Sequence, residues 1–549
     1  MDRFLKISYL LATLIPIIIY FLCWYIYSEN IPITDDFPAI FLTISSYLNG
    51  DNLIYNLFKQ HNEHLIVYDR LVTLFYFWAF KNINLKYLSL IGNLSLLPML
   101  YIFWKTLKSK GIYKFAIIPI AFWLFNLANY ENMIFAMASL QNNTIVLFVL
   151  YSFFWASKPK INLNSFIHIS IGSLISIYTS GSGVFASIFI VFILIFKDNK
   201  NKYLYLTILL EVVFIITFFY IHQSSDIHIL ELLLNSKTNL IAFILTFFGN
   251  VFTFLPSPNY FNLIYLQAIL PLIIGVFITL YFFYLTYKKY YIQNSFIFST
   301  LAFFLFLACL TALTRIHMDF HYATSVRYRI MGIIVFCCII ISLFQVIHSK
   351  KTLKILSSGL IILALFYNFS NLKALNIMHS SISSSFENYI NTNQNYLWSH
   401  NQEETKNLLK ELTNAKIYEY NPNVLFYNKI GEYSQNKITT NNLVATIGSI
   451  IDRTNVLKIS GYMFFQNSSS INQTKFILLE SDKKKYYIKC YMEEREDVNE
   501  YFKTNDKGYS GFKCYIDKNK LEKGTYNLKL MILDNGNEYV NDVKITINN

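Results

Sequence analysis

Five short polar segments interrupt a chain that is otherwise apolar over its first two-thirds. These segments are Thr34-Asp35-Asp36, His61-Asn62-Glu63-His64, Asn129 to Asn132, Thr179 to Gly183, and Thr314 to Arg329. Carboxylates and imidazoles are side chains that move protons in enzymes, and guanidiniums bind anions. The segments are distant in sequence, so they can act together only if the fold brings them to one place.

The first segment contains two adjacent carboxylates, Asp35 and Asp36, directly before Phe37-Pro38. Adjacent carboxylates near an apolar surface repel each other and lose hydration, so one pKa is expected to rise. Such a carboxylate is suited to taking a proton from a sugar hydroxyl. The alternative is a helix cap, because Asp before Phe-Pro often begins a helix. Asp36 abuts Phe37-Pro38 and is the better candidate cap, which leaves Asp35 as the better candidate base.

The second segment concentrates hydrogen-bonding side chains just before an apolar stretch, 65–80. His61 and His64 are three residues apart and could share a helix face with a metal ion. Glu63 does not share that face, so a third ligand is missing and we predict no metal. We expect these three side chains to orient a polar substrate or the carboxylate pair. The plain start of an interfacial helix remains the alternative.

The third and fourth segments lie at predicted helix ends. Ionisable groups at membrane depth are costly and usually face a cavity or a partner, so we expect Glu131 and Asn132 to contact a sugar or an acceptor. Residues 141–143, Gln-Asn-Asn, are deeper in the next helix and suit amide bonding between helices. Residues 179–183 form a tight turn whose N–H groups could bind an anion, although a plain turn is favoured.

The fifth segment carries the arginines Arg315, Arg327 and Arg329. Guanidinium groups bind phosphate in a bidentate manner and suit a lipid-phosphate leaving group. Arg327 begins the following apolar run and should reach the headgroup plane, with Arg315 as a helper. Snorkelling of an arginine to lipid headgroups is the alternative.

Membrane helices must position these residues. The 549-residue chain has 46 Lys plus Arg and 33 Asp plus Glu, a net charge of +13; 14% of its residues are charged and 54% are hydrophobic. Soluble proteins have about 25% charged residues, so a soluble globular enzyme and a disordered chain are both excluded. Most basic residues of the apolar part lie in short loops, which argues against nucleic-acid binding. The composition indicates a polytopic α-helical membrane protein.

The topology follows from apolar runs and lysine loops. A spanning helix needs about 20 apolar residues, and the eleven strongest runs are 7–27, 87–104, 115–129, 133–156, 164–179, 183–196, 203–221, 262–287, 294–313, 330–347 and 354–371. If 65–80 and 238–255 do not fully cross, all the lysine loops between spans face the cytoplasm. The N-terminus is then cytoplasmic, the tail is outside, and all five polar segments share the outer face.

Three regions are predicted. Residues 1–371 form the transmembrane domain, with a long outer loop 28–80 that carries the acid pair; residues 372–442 form a helical connector; residues 443–549 form a β-sandwich. The predicted strands are 457–465, 475–479, 486–491, 511–516, 526–532 and 543–547. A disulfide between Cys490 and Cys514 is conceivable in an oxidising compartment. The sandwich could bind the acceptor glycan or pack over the outer loops.

The ordered set of motifs resembles a known family. A first helix, paired acids just after it and about eleven spans resemble C-type (GT-C) polyprenyl-phosphate-dependent membrane glycosyltransferases. The set Asp35-Asp36, His61-Asn62-Glu63-His64, Glu131-Asn132, Ser180 to Gly183 and Ser325-Val326-Arg327-Tyr328 resembles bacterial serotype-converting O-antigen glucosyltransferases. Enzymes of that family transfer a sugar from undecaprenyl phosphate on the outer leaflet of the inner membrane, with inversion.

The resemblance implies a role for each matching residue. Asp35 or Asp36 would be the general base, Arg327 with Arg315 would stabilise the departing lipid phosphate, and the His61-to-His64 and Glu131-Asn132 segments would hold the sugar or the acceptor polysaccharide. No cofactor is implied, although some relatives use a divalent metal. A flippase for lipid-linked saccharides and a polysaccharide polymerase or ligase are the alternatives. Transporters place charged sites near mid-bilayer on repeated helices, which fits this sequence less well.

Overall fold

The computed structural model of the chain is mostly helical and ends in a two-sheet β region. It describes residues 2–548 apart from 63, 110–112, 199, 222–236, 254–262, 316–318, 348, 393–398, 400, 421–425, 428–436, 439–441, 453–455, 471–472, 483, 494, 519–520 and 535–536. Two compact units divide the chain. The first comprises Met1–Pro256, Asn262–Leu375 and Glu404–Tyr418, and the second comprises Ser257–Phe261, Asn376–Glu403 and Glu419–Asn549.

Helices make up the first unit. Its described α-helices are Asp2–Tyr27, Leu42–Leu48, Leu53–Phe58, Val67–Phe80, Leu85–Leu94, Leu96–Ser109, Tyr113–Leu124, Tyr130–Ile134, Ala136–Ala138, Thr144–Ala156, Leu163–Ile177, Ser182–Ile195, Lys202–Ile221, Lys237–Phe248, Leu263–Tyr287, Tyr290–Gln293, Ser295–Thr314 and Arg329–Val346. The helix Lys350–Thr392 begins in it, and Gln402–Asn414 contributes its last turns. Wider π-helical turns occupy Phe37–Phe41 and Ser139–Asn143, and 3-10 turns occupy Leu127–Asn129, Asn250–Phe252, Phe320–Thr324 and Val326–Tyr328.

Among the described residues, eight helices are long and apolar enough to cross a membrane. They are Tyr9–Tyr27, Leu85–Lys108, Ala136–Ala156, Lys202–Ile221, Gln267–Tyr287, Ser295–Thr314, Val326–Val346 and Lys350–Ser383. These eight overlap eight of the eleven predicted runs. The three remaining runs, 115–129, 164–179 and 183–196, form helices of 12, 15 and 14 residues, shorter than the about 20 residues of a full span. The count of eleven spans therefore stays a prediction.

The short helix Tyr113–Leu124 ends where a polar residue offers the backbone another partner. After Leu124 the Asn126 side chain accepts a hydrogen bond from the Ala128 N–H at 2.9 Å, which begins a new turn.

The two stretches that we expected not to cross the membrane fully, 65–80 and 238–255, form the helices Val67–Phe80 and Lys237–Phe248, of 14 and 12 residues. Both are shorter than a full span.

The predicted outer loop 28–80 is not an open loop. It contains the helical stretches Phe37–Leu48, Leu53–Phe58 and Val67–Phe80. The Arg70 guanidinium lies near the start of the last helix and donates to the backbone carbonyls of Leu57 and Lys59. These bonds tie the chain before the histidine segment to the helix that follows it.

Buried amides fix the middle of the first unit. Asn132 donates to Asn129 at 2.7 Å, Asn129 donates to Asn143 at 3.1 Å, and Asn143 donates to Asn93 at 3.4 Å. All four side chains are fully buried. Because unsatisfied amides inside a core are costly, this chain of bonds specifies how the segment 126–143 packs on the helix Leu85–Leu94.

The second unit contains two antiparallel-rich sheets around one apolar core. Its strands are β1 (Phe426–Tyr427), β2 (Lys437–Ile438), β3 (Leu443–Asp452), β4 (Val456–Phe465), β5 (Thr474–Glu480), β6 (Lys485–Lys489), β7 (Tyr491–Glu493), β8 (Gly511–Asp517), β9 (Thr525–Asp534) and β10 (Asn537–Asn548). The sheet orders are β1-β6-β5-β9-β10-β2 and β3-β4-β8-β7. All six predicted strands are present, and 486–491 is divided between β6 and β7.

The predicted region boundaries and the cysteine pair compare with the structure as follows. The helix Lys350–Thr392 runs without a break through residue 371, and the two units divide within it, between Leu375 and Asn376. Strands β1 and β2 precede residue 443 and belong to the six-stranded sheet. Cys490 and Cys514 are free thiols. Cys490 lies between β6 and β7, where the chain passes from one sheet to the other, and its N–H donates to the Lys475 carbonyl.

Candidate functional site

A cavity of about 320 Å³ in the first unit brings the polar segments together. Its polar lining comes from four of the five segments, from the π-helical turn and from Thr311 of the helix Ser295–Thr314: Asp35, His61, Asn62, His64, Gln141, Asn142, Ser180, Ser182, Thr311, Thr314, Arg315, Arg327 and Tyr328. Its apolar lining includes Val184, Phe185, Phe218, Phe219, Leu307 and Leu310. The cavity is therefore amphipathic, with acidic, basic and hydrocarbon surfaces in one space.

The two adjacent acids have different surroundings. Asp36 is fully buried; its Oδ2 accepts from the Ile33 N–H at 2.9 Å and its Oδ1 accepts from the Met137 N–H at 2.8 Å. Burial raises the pKa of Asp36 to about 8, so this side chain is largely uncharged at neutral pH. The predicted helix cap is wrong, because the carboxyl makes no bond to the helix that begins at Phe37. Asp36 instead joins the first loop to the segment after Phe135.

Asp35 faces the cavity instead. Its side chain is 18% exposed, and its Oδ1 lies 3.8 Å from the His61 Nε2. Asp35 can therefore reach a bound hydroxyl, whereas both oxygens of Asp36 are occupied by backbone N–H groups. Of the two predicted candidates for a general base, only Asp35 has the required access.

Strained backbone flanks both members of the Asp35–His61 pair. Thr34, directly before Asp35, has φ of 38°, and Asn62, directly after His61, has φ of 49°. A β-branched residue seldom adopts the left-handed region, and such strain concentrates at functional sites. The Thr34 hydroxyl is also buried without a hydrogen bond to the described residues. The surrounding fold therefore imposes the direction in which Asp35 points.

The histidine segment is a tight turn, not a helix. His61 and His64 exchange backbone hydrogen bonds at 2.9 Å in both directions, so the predicted placement on one helix face is wrong. The His64 Nδ1 accepts from the Gly181 N–H at 3.2 Å, which joins the turn to the serine segment. Glu63 lies outside the described residues. Within the described part of the chain, no group of three or more His, Cys, Asp or Glu is arranged to hold a metal ion, and metal-independent chemistry stays a prediction.

Arg327 and Glu131 form an ion pair beside the cavity. The Arg327 Nε and Nη2 lie 3.2 and 3.1 Å from the Glu131 Oε1. The Arg327 side chain is 43% exposed and lines the cavity, while Glu131 is 14% exposed behind it. Glu131 was predicted to contact substrate, but the structure places it against Arg327. Arg315, at the end of the helix Ser295–Thr314, also lines the cavity.

Asn132 also lies behind the cavity wall. It is fully buried, donates to the Arg327 carbonyl at 3.1 Å and accepts from the Asn142 side chain at 2.8 Å. Its predicted contact with a sugar is therefore replaced by a structural role. Asn142, which we expected to bond between helices, makes such a bond and also lines the cavity.

Two features had only weak sequence signals. Arg329 is 2% exposed, donates to Thr324 and Asn371, and stacks near the Tyr130 ring. Arg329 lies two residues after Arg327, where the sequence alone would allow a second phosphate ligand. Its guanidinium is instead bonded to other residues of the protein. The second feature is the apolar wall near Phe218, which lies at the end of the apolar helix Lys202–Ile221. Nothing in the sequence of this helix distinguishes it from the other long apolar helices.

No protein-family model, no curated protein and no solved structure matches the chain. The resemblance to C-type glycosyltransferases therefore rests on the motifs themselves.

Proposed function

We propose that this protein is an inverting glycosyltransferase that moves a hexose from undecaprenyl phosphate to a surface polysaccharide such as O-antigen. The observation that carries the proposal is a single amphipathic cavity that holds the accessible carboxylate of Asp35 together with the guanidiniums of Arg315 and Arg327. A reaction that removes a proton from one substrate and releases a phosphate from another needs both kinds of group.

The lining suits a lipid-linked donor. Arg315 and Arg327 provide donors for a phosphate, and three N–H groups of the Arg327 guanidinium are not used by Glu131. The apolar wall around Phe218, Phe219 and Leu310 suits the first isoprene units. The hydroxyls of Ser180 and Ser182 and the amides of Gln141 and Asn142 can bond to sugar hydroxyls.

The chemistry follows from this arrangement. Asp35 takes the proton of the acceptor hydroxyl as its oxygen attacks the anomeric carbon, and the bond from that carbon to the phosphate oxygen breaks. The bond electrons leave with the phosphate, whose growing charge Arg327 and Arg315 stabilise. Attack from the face opposite the leaving group inverts the anomeric carbon. A phosphate departs without protonation, so neither a second acid nor a metal cofactor is required.

The membrane location of the protein is part of the same proposal. The eight long apolar helices fit a multi-pass protein of the bacterial inner membrane. With the N-terminus in the cytoplasm, the cavity and the second unit face the periplasm, where lipid-linked donor and acceptor polysaccharide meet. The second unit would then bind the acceptor glycan.

The experiment uses the full-length protein in liposomes with undecaprenyl phosphate carrying a radiolabelled hexose and an acceptor polysaccharide. We expect the label on the polysaccharide, with an anomeric configuration opposite to that of the donor. A label that crosses the bilayer while still attached to the lipid would indicate a flippase. Activity that requires a lipid-linked oligosaccharide in place of a single sugar would indicate a polymerase or ligase, and either result would refute the proposal.

A further inference from the structure

Glu211 is an isolated acid inside a helix that is long and apolar enough to cross a membrane, Lys202–Ile221. The buried face of this helix carries Leu204, Thr207, Glu211 and Phe218, whereas Leu209 and Ile216 are exposed on other faces. Glu211 is 0% exposed, and neither carboxyl oxygen has a hydrogen-bond partner among the described residues. A carboxylate in such surroundings is costly unless another charge balances it.

Two hydroxyls from two other helices lie beside this carboxyl. Ser173 belongs to Leu163–Ile177 and Ser187 belongs to Ser182–Ile195. Both serines are fully buried, and neither hydroxyl has a partner of normal hydrogen-bond geometry in the described part of the chain. Three unsatisfied oxygen-bearing side chains thus converge where three helices meet.

The charge at this junction is also unbalanced. Among the described residues, no Lys, Arg or His forms an ion pair with Glu211. Buried polar groups are nearly always satisfied by protein, water or an ion. A carboxylate with two hydroxyls offers only hard oxygen ligands, which suit a small hard cation rather than a soft metal. A bound cation would satisfy the oxygens and also neutralise the charge.

We infer that Glu211, Ser173 and Ser187 form an intramembrane binding site for a single sodium ion. None of these three residues lines the candidate catalytic cavity. Glu211 lies seven residues before Phe218, a lining residue of the same helix, which is about 10 Å along the helix axis, and Ser187 lies about one turn beyond the lining residue Val184. Sodium would hold together three helices, two of which, Ser182–Ile195 and Lys202–Ile221, contribute residues to the cavity wall. The inference does not depend on the proposed function.

The test measures equilibrium binding of radioactive sodium to the purified full-length protein in detergent. We expect about one saturable ion per chain, and Glu211→Gln should abolish it while Ser187→Ala weakens it. The same ion should raise the thermal unfolding midpoint by about 2 °C or more relative to choline at equal ionic strength. Glu403→Gln, at an exposed acid of the helix Gln402–Asn414, is the matched control and should retain both effects.

Two outcomes would overturn the inference. Absence of saturable sodium binding to the wild-type protein would show that the carboxyl is instead neutral and hydrated. Sodium binding that Glu211→Gln leaves unchanged would place the ion elsewhere. If Glu211→Gln does not fold, Ser187→Ala and Ser173→Ala decide the question, because each removes one ligand oxygen without adding a charge.

Discussion

Replacing Asp36 by Asn should destabilise the protein, whereas the same change at Asp35 should not. The two oxygens of Asp36 accept the Ile33 and Met137 N–H groups at 2.9 and 2.8 Å in a fully buried position. An amide has a single acceptor oxygen, so one of these N–H groups would face an NH₂ group. Loss of a buried hydrogen bond costs about 1–3 kcal/mol of unfolding free energy. Asp35 lines the cavity and its side chain is 18% exposed, so an amide at this position remains accessible to solvent.

The pH dependence gives the prediction a second signature. Because burial raises the pKa of Asp36 from 3.8 to about 8, the folded state holds a proton that the unfolded state releases between these values. Its stabilising contribution is complete below pH 3.8 and is lost as the pH rises through about 8. Asp36→Asn has no proton to lose, so this part of the pH dependence should disappear.

The assay is thermal unfolding of the full-length wild type, Asp36→Asn and Asp35→Asn in the same detergent from pH 5 to pH 9. We expect Asp36→Asn to have the lowest midpoint at pH 5 and the flattest profile between these limits, so its deficit relative to the wild type should shrink as the pH rises towards 8. At pH 5, a wild-type midpoint for Asp36→Asn, or a larger loss for Asp35→Asn, would refute the assignment of the structural and accessible acids.

Three further predictions concern single side chains. Glu131→Ala should raise the donor concentration for half-maximal transfer about tenfold, because Arg327 loses its orientation, and Glu131→Gln should recover most of that loss; steady-state kinetics on both variants test this. Arg329→Ala should reduce the amount of folded protein rather than the rate per folded molecule, because this arginine is buried and internally bonded; size-exclusion yield and specific activity separate the two. Burial lowers the pKa of Lys475 to about 7, so the second unit should gain stability from pH 7 towards 10.5, and Lys475→Met should remove that gain; hydrogen exchange of β5 in the full chain measures it.

Local patterns predicted much of the architecture. Apolar runs identified the eight long helices, and alternation with turn residues identified six strands of the second unit, because both signals act within one element. The strands β1, β2 and β3 were not predicted. The helix Lys350–Thr392 shows the limit of this approach. Its composition changes near residue 371, but a helix can continue through a change of composition when its backbone bonds are unbroken.

Partners distant in sequence explain what could not be predicted at the site. Burial of Asp36 depends on the Met137 N–H, 101 residues away, and the partner of Arg327 is Glu131, 196 residues away. The sequence shows that these groups are charged, but it does not show which of them satisfy one another and which remain available to substrate. Asp35 was predicted to be the better base because Asp36 was expected to cap a helix. Asp36 makes no such cap, but the position of Asp35 in the cavity lining agrees with its predicted access.

The most direct test of the central claim is the transfer rate of reconstituted Asp35→Asn, measured beside the binding of undecaprenyl-phosphate-linked hexose to the same sample. We predict a rate about 10²–10⁴-fold below that of the wild type, as for loss of a general base, with donor binding unchanged because Arg315 and Arg327 are intact. Transfer by Asp35→Asn at the wild-type rate would contradict the proposed mechanism.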